Sequence, residues 1–134
     1  FVRIVLDTNV LIAALISRGF CHELFEYCAL THELFTSDFI LSEVSEKLIA
    51  KFKQTEKMTD ESVVLLRSQM QMVVPVALST PVSRDPDDDN ILATGVAARC
   101  DYIITGDNDL LVLKEFEEIL IVTPREFTDS EKNS

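Results

Sequence analysis

Two apolar runs in this chain end in aspartate. Ile4-Val5-Leu6 leads straight into Asp7, and Ile103-Ile104 passes through Thr105-Gly106 into Asp107. A third group of acids, Asp85-Pro86-Asp87-Asp88-Asp89, opens the apolar segment that starts at Ile91, and Glu43 lies between Leu41 and Val44. Each has an ordinary explanation. Asp7 or Asn9 suits the cap of a following helix, as capping side chains accept the free amides of the first turn. Asp107 with Asn108 suits an Asx turn, with Gly106 allowing a tight bend or close approach of a ligand. Acids at 87–89 complement a helix dipole, and Glu43 stands off its apolar stripe like a solvated glutamate. Three consecutive acids exceed what one cap requires, however, because like charges repel. Taken as a set, carboxylates are the ligands hard cations such as Mg²⁺ and Mn²⁺ prefer. One or two such ions activate water and offset the charge of a phosphodiester under attack. Other catalytic routes have little support. His22 and His32 match no HxxxH spacing, and no GxSxG, GxGxxG or GxxxxGK[ST] occurs.

The elements that must position these acids are legible as periodicity. Val2–Leu6, Val73–Val76, Tyr102–Ile104 and Ile119–Val122 read as strands buried on both faces, and Glu33–Thr36 as a shorter one. Val10–Ile16 is an almost wholly apolar helix. Cys21, Leu24, Phe25 and Cys28 recur at i, i+3, i+4, i+7, and Leu41, Val44, Leu48 and Phe52 continue that spacing. Ser62–Met72 and Ile91–Ala98 are further helices. Doubly buried strands separated by helices predict an α/β fold with a parallel sheet of four to five strands. Sites in such sheets lie beyond the carboxyl ends of the strands, where Asp7 and Asp107 fall. Lys53–Asp60 reads as a polar connection, Leu78–Pro86 as a loop, and Thr128–Ser134 as a frayed polar tail after a single domain spanning 1–127.

The chain has 134 residues, 47% of them hydrophobic, which excludes a disordered polymer. No apolar run approaches the roughly 18 residues of a membrane span, and FVRIVLD has no charged start followed by a small-residue cleavage site. Cys21, Cys28 and Cys100 form no CxxC pair and suit reduced core cysteines, so a cytoplasmic location is expected. The net charge of −11 runs against the basic surface of a nucleic-acid binder. Bunching of the acids in one cation site relieves that conflict, because a bound ion reverses the local field.

The stretches VLDTNVLIAAL, TSDFILSEV, DPDDDNILATGVAARCDYIITGDNDLL and ILIVTPREF together resemble the PIN-domain nucleases, particularly the small prokaryotic toxin-type branch. They follow the family order and cover nearly all of Val2–Phe127. The resemblance implies a three-layer α/β/α sandwich and Mg²⁺- or Mn²⁺-dependent endoribonuclease activity, with Asp7, Glu43, Asp88 and Asp107 as the catalytic and metal-holding acids. It implies Asn9 and Thr105 as supporting polar residues, with Asp87, Asp89 and Asp109 as outer acids. Asp89 stands where a neutral residue often follows the third acid, which leaves open which of Asp87, Asp88 and Asp89 ligates. A small antitoxin partner and a homodimer are also what the resemblance implies.

Lys47, Lys51, Lys53 and Lys57 form a local basic cluster. It reads either as a solvated face paired with Glu43 and Glu46 or as a phosphate track in which Lys47 and Lys51 contact RNA; Arg18 is a further candidate contact. Two other functions fit the same fold. A catalytically silent PIN-like module would bind RNA or protein without cutting, and metal-dependent cleavage separates it. A receiver-like phospho-acceptor would need a lysine at a strand end, and no strand end here provides one.

Overall fold

The computed structural model describes residues 1–133. The chain alternates β1 (Arg3–Leu6), α1 (Thr8–Ile16), α2 (Phe20–Thr31), β2 (Glu33–Thr36), α3 (Asp38–Ala50), α4 (Glu56–Gln69) and β3 (Gln71–Met72). It continues through α5 (Pro86–Ala98), β4 (Tyr102–Ile104), α6 (Asn108–Leu111), β5 (Glu115–Phe116), β6 (Ile119–Val122) and α7 (Pro124–Lys132). The strands form one sheet in the order β3-β2-β1-β4-β6-β5, parallel except where β5 turns back against β6. Helices flank this sheet in an α/β/α arrangement. The expected four to five strands become six because the β5–β6 hairpin adds an antiparallel edge.

Strand order explains where a site can form. From β1 the chain steps outward to β2 and β3, then returns to place β4 on the other side of β1. Adjacent crossovers diverge at that switch point and leave a crevice beyond the carboxyl ends of β1 and β4. Both strands are buried on both faces: Ile4, Val5, Ile103 and Ile104 have no exposed surface, and Leu6 is 1% exposed. Their branched apolar side chains hold the register, with Val5 opposite Ile103 and Leu6 opposite Ile104. Helix α5 lies close on β4. A Cβ added at Gly95 would meet Ile103 Cδ1 at 2.9 Å, which is why this helix carries a glycine there.

Three expectations need correction. Val73–Val76 is not a buried strand: β3 ends at Met72, and Val74 is 85% exposed. Only the Val73 amide continues toward β2, donating to Thr36. Pro75 has no amide with which to extend the ladder, so the run ends as an edge. Helix α4 begins at Glu56, inside the supposed connection 53–60, because the Thr55 hydroxyl caps it by accepting from the Met58 amide. It stops at Gln69 rather than Met72.

The C-terminal segment is the third place where the molecule departs from the expected pattern. Of the stretch read as a frayed tail, Ser134 lies outside the described residues, but α7 continues through Lys132. Thr123 and Glu126 close a reciprocal capping box at its start. Phe127, 1% exposed, packs edge-on against His32 and Tyr102, and Glu131 accepts hydrogen bonds from His32 Nε2 and the Tyr27 hydroxyl. The Val2 amide donates to His32 Nδ1, which assigns the ring proton to Nε2. Replacing Phe127 with Ala is expected to cost about 3–5 kcal/mol in a urea melt. A near-zero change would mean that α7 does not hold the fold.

Candidate metal centre

The acids converge because four separate elements meet at the switch point. Asp7 is the residue after β1. One carboxylate oxygen accepts from the Val10 amide at 2.9 Å and so caps α1, while the other accepts from the Thr105 hydroxyl. Its backbone amide donates to the Ile104 carbonyl at 3.1 Å, continuing the β1–β4 ladder one step beyond the strands. Asp107 similarly caps α6, accepting from the Asp109 amide at 2.9 Å, and its own amide donates to the Thr105 hydroxyl oxygen. The Asx turn foreseen at Asp107 is therefore present, and it coexists with a place in the cleft. Gly106 has no positive φ; a Cβ there would meet nothing within 4 Å, so space rather than backbone freedom distinguishes this glycine.

A cavity of about 120 Å³ brings Asp7, Asn9, Glu43, Asp88 and Asp107 together with Thr8, Lys47, Asp85, Asp87 and Ile91. Carboxylate oxygens of Asp88, Asp107 and Asp109 lie within 4.8 Å of one another. Glu43, which helical periodicity reads as solvated, is half-buried and accepts from the Thr8 hydroxyl. Thr8 thus joins the site, although its only mark in the sequence is its position after Asp7. The three consecutive acids of α5 have separate tasks. Asp88, 6% exposed, faces Asp107, and Asp87 faces Glu43. Asp89 turns away to accept the amides of Val82 and Ser83, at 3.1 and 2.7 Å.

The basic candidates divide too. Lys47 reaches into the cleft and donates to Asn9 Oδ1 at 3.3 Å, so it is neither a simply solvated lysine nor a remote track. Lys51 is exposed at the end of α3, over the Phe52 ring. Arg18 lines a separate groove of about 640 Å³ between α1, α2 and α4. Sequence reasoning passed over Ser83 and Arg84, which contact the acids from the preceding loop: the Ser83 hydroxyl donates to Asp88 at 3.3 Å, and Arg84 pairs with Asp109 at 2.9 Å. Their signal was a polar pair directly before an acid run.

The electrostatics follow from crowding. Burial pushes the Asp88 carboxyl up to about 7; its hydrogen bond to Asp107 and the charges of Asp107 and Asp85 push the same way, against Ser83. Burial also raises Asp7, although the Thr105 hydroxyl, the Val10 amide and the Lys47 charge oppose it. Glu43 is raised by burial and by Asp87, and held back by Thr8 and Lys47. An all-oxygen, acceptor-rich set whose members resist ionising together fits a hard divalent cation and suits no soft metal.

A raised carboxyl pKa favours the fold at low pH, and the benefit is lost as pH rises through the folded-state value. The metal-free protein is therefore expected to lose stability between pH ~4 and ~7 from Asp88. Glu131, lowered by Tyr27 and His32, acts with the opposite sign at more acidic pH, so the difference between two proteins is the useful quantity. Asp88→Asn should flatten the fall above pH ~4 and melt higher than wild type at pH 7 in EDTA. Parallel pH profiles for the two proteins would contradict this account of Asp88.

Comparison with known proteins agrees with this architecture. No curated protein sequence matches the chain significantly. Among solved structures, VapBC2 from Rickettsia felis bound to a promoter DNA fragment is similar with a TM-score of 0.65 and 12% identity, over 89% of this chain and 96% of that one. DNA-bound VapBC from Salmonella typhimurium gives 0.63 and 16%, over 92% and 99%. Mycobacterium tuberculosis VapC20, a sarcin-ricin loop cleaving toxin, gives 0.59 and 13%, over 87% and 98%. Identities this low establish the fold alone, but the PIN-domain family model itself matches residues 3–109. With the acids gathered at the switch point of a PIN-like sheet, the chain belongs to the PIN-domain family.

Proposed function

We propose that this protein is a metal-dependent endoribonuclease, the toxin of a toxin–antitoxin pair, which hydrolyses RNA phosphodiester bonds. The observation that carries this reading is the convergence of Asp7, Glu43, Asp88 and Asp107, from four elements, in one cleft. Asp88 and Asp107, with Asp109 beside them, offer the closest oxygen set, and Asp7 and Glu43 complete it. When bound there, Mg²⁺ or Mn²⁺ supplies water activation and offsets charge on the scissile phosphate.

The chain's own residues prepare the site. Thr105 and the Val10 amide orient Asp7, and Thr8 orients Glu43. A carboxylate has about four acceptor positions, so these bonds leave capacity for an ion. Lys47 favours the charged forms of Asp7 and Glu43, against the burial that raises both carboxyls. The toxin assignment draws on the likeness to VapBC structures, in which toxin and antitoxin occur together. A small antitoxin partner and a homodimer of this chain belong to the same proposal. No described helix is long and apolar enough to cross a membrane.

The test is incubation of the pure protein with mixed tRNA, rRNA and mRNA in Mn²⁺, with mapping of new ends and an EDTA control. Asp7→Asn is expected to reduce cleavage to background while melting normally, since asparagine keeps the cap on α1 but removes the charge. Full activity in that variant would refute the mechanism, and no cleavage by wild type would favour the silent binding module. Thr105→Val, which leaves Asp7 unoriented, is expected to weaken Mn²⁺ binding by about 10–100-fold in calorimetry. Unchanged affinity would show that Thr105 serves only the fold.

A further inference from the structure

Arg84 has an unusual situation for a surface arginine. Its side chain is 88% exposed, and its guanidinium Nη2 donates to Asp109 Oδ1 at 2.9 Å. The Asp109 carboxylate in turn belongs to the cluster with Asp88 and Asp107. Exposed ion pairs contribute little to stability, so holding the fold together does not account for this contact.

The loop behind Arg84 is built more firmly than the pair itself. Asp89 accepts the Val82 and Ser83 amides, and the Ser83 hydroxyl donates to Asp88. The Asp85 amide donates to Ser83 Oγ, and the Asp85 carboxylate accepts from the Asp87 amide. The backbone on both sides of residue 84 is thereby tied to the start of α5, while the guanidinium projects into solvent at the acid cluster. Among the described residues, Lys47 lines the cleft and Arg84 reaches the acid cluster through Asp109. Lys47 is half-buried and engaged with Asn9, whereas the Arg84 side chain is open to an incoming ligand.

We propose that Arg84 is a phosphodiester-binding residue of the cleft, fixed by the Asp89-clasped loop so that its guanidinium grips a non-bridging oxygen of an RNA strand lying across the acids. The inference rests on the ribonuclease reading and adds the contact which that reading lacks. A chain of net charge −11 repels a polyanion except where local cations receive it. The planar fork of arginine matches phosphate as it matches carboxylate, so a phosphate oxygen replaces or joins Asp109 as its partner. Asp109 holds the side chain in place until the strand arrives.

The test compares wild type with Arg84→Ala and Arg84→Lys, using a fluorescein-labelled single-stranded RNA of mixed sequence. Binding is measured across a salt series with Ca²⁺ as the divalent ion, and Mn²⁺ affinity is measured separately by calorimetry without RNA. Arg84→Ala is expected to bind RNA several-fold more weakly, with a log–log salt slope shallower by about 0.7. Arg84→Lys should keep the wild-type slope and recover part of the affinity, because the charge returns without the fork. Mn²⁺ affinity of Arg84→Ala should be no weaker than wild type. Wild-type RNA affinity and slope in Arg84→Ala would overturn the proposal. So would a loss of Mn²⁺ affinity large enough to explain the RNA defect, since Arg84 would then support the metal site. If wild type binds Mn²⁺ but no RNA, the ribonuclease reading falls and this inference with it.

Discussion

The parallel pairing of β1 with β4 determines where everything else stands. Leu6 lies opposite Ile104, and the Asp7 amide adds one further bond to the Ile104 carbonyl. That step sets Asp7 beside Thr105, whose hydroxyl donates to the Asp7 carboxylate while its oxygen accepts the Asp107 amide. One threonine thus couples the first and last acids of the site. A register slip of one residue would turn Thr105 and Asp7 to opposite faces and expose the apolar side chains that now fill the centre of the sheet. The energy that holds the register is hydrophobic, and it comes from residues with no part in the chemistry.

That hydrophobic centre carries an electrostatic cost at its rim. Asp7 and Asp88 are nearly as buried as the core beneath them, and burial is the largest influence raising each carboxyl. The structure mitigates the cost with short-range partners: helix-terminal amides, the hydroxyls of Thr8, Thr105 and Ser83, and the charge of Lys47. These partners also orient the carboxylates. Capping a helix and facing a cation are therefore compatible tasks for Asp7 and Asp107, because an ionised carboxylate accepts more bonds than one cap uses. Asp89, whose oxygens go to the loop at 82–83, shows the opposite case of an acid committed to holding backbone.

The hairpin at the sheet edge shows a different limit on local reading. Glu117 and Glu118 connect β5 to β6, both with positive φ, the backbone of a tight two-residue turn. Glutamate is not a residue that announces such a turn. The left-handed conformations cost about 1–2 kcal/mol each, offset by pairing with β6, whose place in the sheet is set by β4.

Side-chain pattern was enough to locate strands β1, β2, β4 and β6, the helices with a clear apolar stripe, and the carboxyl-end positions of Asp7 and Asp107. These depend on side-chain period and on the residue that follows a buried run, interactions reaching only a few positions along the chain. The family resemblance, not periodicity, marked Glu43. Tertiary structure decided that Asp87 and Asp88 face the cleft while Asp89 turns to the loop, and that Glu43 meets Thr8. It decided too that Lys47 and Arg84 attend the acids while Lys51 and Arg18 do not. It also exposed Val74 and docked α7 through Phe127. Local pattern reports whether a side chain has an apolar neighbour three or four residues away. Which distant backbone ends beside it depends on crossovers and register, and a charged group's role is decided by those long-range neighbours.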